Sequence, residues 1–467
     1  MIFAAEKIVD FAKEMHFEDI PLDVLDKTKH LILDSLGIAV ASTSLPVSAQ
    51  VKEMVFKILG MSAGNVANHL NHGCTVIGDK NVLPVTYASM INGSLIHSLD
   101  FDDTHTKSIT HNCAPLVPAA MSGSELFNSN GRDFLKSVIL GFEFQTRIGL
   151  VAPGAFHARG FHMTSIAGTF GSSLVFGLLG NFSKNNIVSA LGVCGSFSSG
   201  LFEYLEDGSP VKVIHPGWAS QSGIVAAMLA NEGFSGPSSI LEGRFGLYNS
   251  HLNGEDFDVE LLTSGLGTTW QTLEIAYKPY PCGHVIHAFL DAAKRIYSKD
   301  NYSVDKIESI KCIAAKGAID LVLDPLDVKK IPRSTYDAKF SLPYCIGSIL
   351  VRGSCNVVDF SENSIKDSEV LKIASLVNYE EDPSQDFPKY FPGSIEITFK
   401  NGDKLIEHEK FQRGCLENPM SKDDIEKKFF DNASMVFDLK TSKQLFDNVM
   451  KLEESENINS LLSILRF

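Results

Sequence analysis

The sequence predicts a mainly α fold: a large all-α helical domain with a smaller α+β unit inserted before the C-terminal helices. Three observations carry this prediction. Apolar residues recur at helical spacing through most of the first 269 residues. The texture then changes to alternating, strand-like segments that extend to about residue 415. From Ser421 onward it is helical again. The expected division is residues 1–269 with 416–467 as the helical domain, and 270–415 as the α+β domain.

Taken in order, Pro21 suits the first turn of a helix to about Ser42, with Leu25, Thr28, Leu31, Ile32, Leu36 and Ala39 on one face. A second helix spans about Leu83 to Asp100 and buries Val85, Ala88, Ile91, Leu95 and Leu99. Others are expected over 131–149, 162–180, 186–203 and 217–232. Small residues crowd two of them (Ala167, Gly168, Gly171, Ser172 and Ser173, then Gly192, Gly195 and Ser196), which lets helix axes approach closely and places both centrally. Lys306–Ala315 alternates like a half-buried strand. Ser394–Glu407 reads as a hairpin with a type I′ turn at Asn401-Gly402. Helices over about 284–297 and 336–351 accompany these strands. Ser421 and Asp424, just after Pro419, form an N-terminal capping box.

With 44% hydrophobic and 21% charged residues, a chain of 467 buries a large core, which excludes disorder. A formal charge of −15 without a basic run argues against nucleic acid, so an anionic ligand must meet a local cationic pocket. The eight cysteines form no C-x-x-C pair and no dense Cys/His cluster, so neither a zinc nor an iron–sulfur site is expected. Reduced thiols, an N-terminus without a signal-like pattern, and apolar stretches such as Ile166–Gly180 that are short and Gly/Ser-rich fit a cytoplasmic protein. No membrane partner is expected.

Four segments offer chemistry. His97 to Pro115 gathers Asp100, Asp102, Asp103, His97, His105 and His111 in a loop between two apolar segments, a rigid base for reactive groups; the bland alternative is surface acids and capping histidines. Gly160–Ser165 places His162 before a small-residue helix, where the dipole lowers its pKa and favours an anion. In Gly208–Ala219, Lys212 and His215 precede a helix opening with Pro216-Gly217; a surface lysine is the default, a carboxylate clamp the sharper reading. In Tyr277–His284, two prolines stiffen a segment presenting Lys278 and His284 at the seam between domains, unless it is an ordinary linker. Dinucleotide, Walker and nucleophile-elbow motifs are absent. The remaining His, Asp and Lys set, with no metal and no cofactor, suits proton transfer beside a carboxylate.

At these residues the chain resembles the MmgE/PrpD family. The matching stretches are LDSLGIAVAS (33–42), INGSLIHSLDFDDTH (91–105), GFHMTSIAGTFGSS (160–173), VKVIHPGWASQSGIVAAMLANEGFSGPSSILEGRFG (211–246), YKPYPCGHVIHAFLDAA (277–293) and ENPMSKDDIEKKF (417–429). The resemblance implies that the α+β unit is a lid, that the site lies in the seam, that no metal is used, and that the protein is a homodimer. It places the family's catalytic positions on Asp100, His111, Lys212 and His162. Substrate-binding positions fall on Thr104, Lys278 and His284, with His215 beside them and Tyr336 as a looser lid match. The implied activity is a lyase acting on a small di- or tricarboxylate, with 2-methylcitrate dehydration as the leading expectation. In it His111, positioned by Asp100, exchanges the proton. The alternatives are cis-aconitate decarboxylation, iminodisuccinate epimerisation and, from another class, an inactive carboxylate-binding scaffold. After His111 the family usually shows Pro-Ser or a similar pair, whereas this chain has Asn112-Cys113. The loop from Asp100 to His111 is also one residue longer than in vertebrate-type decarboxylases, and lacks the tryptophan pattern of dedicated dehydratases.

Overall fold

The computed structural model describes residues 2–61, 73–300 and 302–467. Two separate hydrophobic cores organise it. The larger draws on side chains from Ala4 to Tyr277 and again from Ile425 to Leu465; the smaller runs from Tyr280 to Ile397. Around the first pack the helices Leu22–Ser42, Val85–His97, Cys113–Phe127, Gly131–Leu150, Met163–Leu179, Lys184–Phe197 and His215–Asn231. Among the described residues no single helix is long and apolar enough to cross a membrane.

Glycines set the helix spacing at the centre. A Cβ on Gly93 would lie 2.8 Å from Gly217 Cα, and one on Gly217 would overlap Met90 O and Ser94 Oγ. Helices Val85–His97 and His215–Asn231 therefore touch backbone to backbone. A Cβ on Gly168 would lie 2.9 Å from the Pro115 ring and 3.3 Å from Ala219 Cβ, so the small residues of helix Met163–Leu179 do mark a central helix.

The smaller core carries a four-stranded sheet in the order Val377–Glu381, Ile307–Ala314, Gly393–Phe399, Lys404–Glu409. The first pair is parallel and the others antiparallel. Helix His287–Tyr297 packs on strands Gly393–Phe399 and Lys404–Glu409, helix Leu342–Arg352 packs on that helix in turn, and Phe289, Leu290, Ile346 and Ile349 share one core with Ile310, Ile395 and Ile397.

Several expectations are corrected. The 162–180 helix and the capping box at Ser421 form as expected, but the helix expected over 186–203 stops at Phe197, because Ser198 turns extended at φ −66°, ψ 129°. The helix expected to reach Asp100 ends at His97. The 336–351 helix is broken, since Ser341 accepts the Tyr344 N–H and starts a new helix with Pro343 in its first turn. At the hairpin only Gly402 has positive φ; Gly402 N donates to Phe399 O and Phe399 N to Asp403 O. The connection is thus a type I turn closed by a left-handed glycine, not type I′. Strand Val377–Glu381 was not foreseen, because its mostly exposed VNYEE sequence has no alternating apolar face.

Candidate active site

The loop that follows helix Val85–His97 is held in an unusual path. Asp100 has φ +50° and Ile109 φ +53°. The left-handed region is tolerable for Asp and costly for a β-branched residue, so surrounding contacts must hold the loop. Two of those contacts are visible. Thr104–His105 pairs antiparallel with Ile275–Ala276, bringing the segment that bears Lys278 against the loop. The Asp103 carboxylate accepts N–H bonds from Asn112 (2.8 Å) and Cys113 (3.0 Å) at the start of helix Cys113–Phe127, where the dipole favours an acid.

On this frame two lysines converge on one aspartate. Lys212 Nζ donates to Asp100 Oδ1 at 2.7 Å; Lys278 Nζ lies 3.3 Å from the same oxygen and donates to the Asp100 carbonyl at 3.0 Å. All three side chains are buried. Burial opposes ionisation of Asp100, but Lys212 and Lys278 outweigh it and hold the carboxyl well below the usual range. Burial in turn lowers the Lys212 pKa, and Lys278 lowers it further, against the opposing pull of Asp100.

Beside these charges lie three imidazoles with ring centroids 4.8–6.1 Å apart: His97, His111 and His162. His111 Nδ1 is 2.7 Å from the Asp103 carbonyl oxygen and 3.2 Å from Thr104 Oγ1. A carbonyl can only accept, so Nδ1 carries the hydrogen and Nε2 is left as a base. His97 Nδ1 meets both Asp102 oxygens at 2.8 and 3.0 Å. His162 caps helix Met163–Leu179, is anchored by its N–H to Gly200 O, and has Nδ1 3.0 Å from His215 Nδ1. Burial pushes His111 well below the usual histidine range, and Lys212 and Lys278 add to this while Asp102 opposes it. For His162 burial leads again, followed by His215 and Lys212. The expected pKa lowering at His162 is present, with burial as its main cause.

A cavity of about 760 Å³ opens here between the two cores, and Asp100, Thr104, His111, His162, Lys212, Lys278 and His284 line it. Its other walls are largely apolar, with Val285, Leu321, Phe340, Phe387 and Phe391, and also carry His157, Glu255 and Asp320. Two expected contacts stand behind the wall. His215 backs His162, and Tyr336 packs with Tyr204 and Val213 against Phe340, its hydroxyl unpartnered. The expected pairing of Asp100 with His111 is also replaced: Asp103 O and Thr104 orient His111, while Asp100 serves the lysines. Asn112 and Cys113 turn away from the cavity, towards Thr146 and Leu31 O, which removes them from contact with a ligand.

Sequence reasoning missed the structural weight of the His97–Asp102 pair, although both residues stood in the same loop; a histidine on the buried face of an apolar helix was the available signal. It also missed Lys339, whose Nζ bridges Leu99 O and Pro281 O at 2.9 Å each and so ties the loop to the second domain.

Comparison with known proteins assigns the chain to a family. Residues 6–260 match the MmgE/PrpD N-terminal domain and residues 280–452 the MmgE/PrpD C-terminal domain. Among curated relatives, a cis-aconitate decarboxylase of Aspergillus terreus is 26% identical, covering 98% of this chain and 95% of its own length. A cis-aconitate decarboxylase of Mus musculus is 28% identical over 95% of this chain and 89% of its own. The cis-aconitate decarboxylase-like protein oryM of Aspergillus oryzae is 24% identical over 98% and 96%. Two domain matches in chain order, spanning nearly all of the sequence, show that the chain belongs to the MmgE/PrpD family.

Proposed function

We propose that this protein is a carboxy-lyase that removes CO₂ from a tricarboxylate of the cis-aconitate type. The observation that carries the reading is the convergence of Lys212 and Lys278 on Asp100 beside the neutral base His111, at one end of a closed-in cavity. The names of the relatives favour this over the dehydration expected from sequence.

In the proposed reaction the bond from the substrate methylene to its carboxylate breaks and CO₂ leaves. The electron pair moves through the C=C bond onto the far carbon and its carboxylate. A proton added at that carbon completes the product, so one proton is taken up per turnover. Lys212 and Lys278 hold the remaining carboxylates and stabilise the enolate-like charge, where low dielectric strengthens them. His111 Nε2 carries the proton: an arriving trianion offsets the burial and the lysine charges that lower the pKa of this imidazole. His162 and Thr104 complete the polar wall, and His284 faces it from the second domain.

The test is proton NMR of purified protein with cis-aconitate in D₂O. The expected outcome is CO₂ release with one deuterium in the methylene of the product. An alkene formed from methylcitrate, or deuterium exchange without net change, assigns dehydration or epimerisation instead and overturns the reading. We also propose a homodimer, supported by Val211 (45% exposed) and Trp218 (44%) standing as unpaired apolar surface beside the lysine segment. Light scattering after size exclusion should give about twice 51.0 kDa.

A further inference from the structure

Spacing along the chain signals no metal site, but the fold assembles one. We infer that His97, His111 and His162 form a three-histidine site that captures a borderline divalent transition-metal ion, Zn²⁺ above all, in the buried wall of the cavity that His111 and His162 line. One ring nitrogen from each lies within 4.8 Å of the others. The remaining nitrogen of each ring is already engaged: His97 Nδ1 with the Asp102 carboxylate, His111 Nδ1 with the Asp103 carbonyl, and His162 Nδ1 with His215 Nδ1. Metal-binding histidines are oriented by such partners, which fix the tautomer and raise ligand basicity. His97 and His111 therefore offer Nε2, and His162 offers it in the tautomer whose Nδ1–H donates to His215. At His97 that atom is fully buried and has no hydrogen-bond partner, so a polar group sits desolvated with nothing to satisfy it.

Around tetrahedral zinc with Zn–N of about 2.0–2.1 Å the ligand nitrogens stand roughly 3.3 Å apart, so ring rotations of about an ångström close the site. Three imidazoles leave the fourth tetrahedral position for water or a carboxylate. The two nearby ammonium groups do not forbid the ion. Lys212 and Lys278 are turned onto Asp100, and Asp102 stands behind His97, so two positive and two negative charges balance before the metal arrives. Because His111 and His162 would be consumed as ligands, the bound ion blocks the site rather than serving it. Metal capture does not depend on which carboxylate is the substrate.

Isothermal titration of the metal-free protein with Zn²⁺ in a non-chelating buffer tests this, with Co²⁺ absorption in the visible as a report on tetrahedral geometry. One equivalent should bind the wild type and give tetrahedral Co²⁺ bands. Asp102→Asn should weaken binding about 10–100-fold, as loss of an orienting partner does, and His97→Gln at least as much. If circular dichroism shows that His97→Gln does not fold, His162→Gln gives the same readout. No binding to the wild type, or one-site binding that none of these variants changes, overturns the inference.

Discussion

Replacing Asp100 by Asn leaves Lys212 and Lys278 buried beside each other without the carboxylate they both touch. Breaking a buried ion pair from one side costs about 3–5 kcal/mol, because the stranded charge keeps its desolvation penalty. Asp100→Asn should therefore lower stability by that order in urea unfolding, and removing Lys212 together with it should recover part of the loss. His111 is a different kind of residue. Its ring is held by one carbonyl and one hydroxyl, and its loss strands no charge. Under the proposed mechanism His111→Ala should leave the melting temperature nearly unchanged and cut kcat by about 10²–10⁴-fold, the usual worth of a positioned acid or base. Turnover close to wild type would remove His111 from the reaction.

At the scale of elements, the placement of Lys212 depends on how closely helix His215–Asn231 lies against helix Val85–His97. Gly217 sets that distance. In Gly217→Ala the new methyl meets Met90 O, a backbone atom that cannot rotate away, so the helices must separate. Overpacking of this kind costs about 1–3 kcal/mol. The larger effect is expected on turnover: Lys212 sits just before this helix, Asp100 just after the other, and a shift of about 1 Å can cost roughly 10²-fold. Thermal melts and kcat/KM measured on the same variant separate the two effects. Unchanged turnover would show that the helix spacing does not set the site.

Across the whole molecule the buried imidazoles govern the response to acid. Burial lowers His105, His157 and His215 to about 3, and pushes His111, His162 and His284 well below the usual range. Between about 6.5 and 3 the unfolded chain therefore binds protons that the native fold refuses, so stability rises with pH there and falls on acidification. Asp103 acts in the opposite sense. Burial and Asp102 raise it to about 7, so the native state holds a proton that the unfolded chain gives up above about 4. Burial raises Asp34, Glu125 and Glu143 in the same sense as Asp103, while Asp100 and Asp102 are lowered and act with the imidazoles; the six imidazoles and two lowered acids outnumber these four, and the melting temperature should fall from pH 6.5 to 4. His157→Gln should make that slope shallower by about one proton, as read from unfolding free energy against pH; an unchanged slope would mean His157 is protonated in the native fold.

Local sequence decided the elements. Helical periodicity, the Ser421–Asp424 cap and the strand at Ile307–Ala314 were legible because each depends on neighbours a few residues away, and the four chemistry-bearing segments contain Asp100, His111, His162, Lys212, Lys278 and His284, which line one cavity. The partners of those residues were not legible. That Asp100 serves two lysines rather than His111, that Asp103 O orients His111, and that Tyr336 and His215 stand behind the wall depend on which distant segments touch. The type of the hairpin turn also escaped, since Asn401-Gly402 suits either geometry and the strand register selects between them. The sequence by itself determined a helical MmgE/PrpD-like chain with a cationic, histidine-rich set of groups. Only the tertiary structure decided how their charges pair, because buried electrostatics falls off with distance in space and takes no account of separation along the chain.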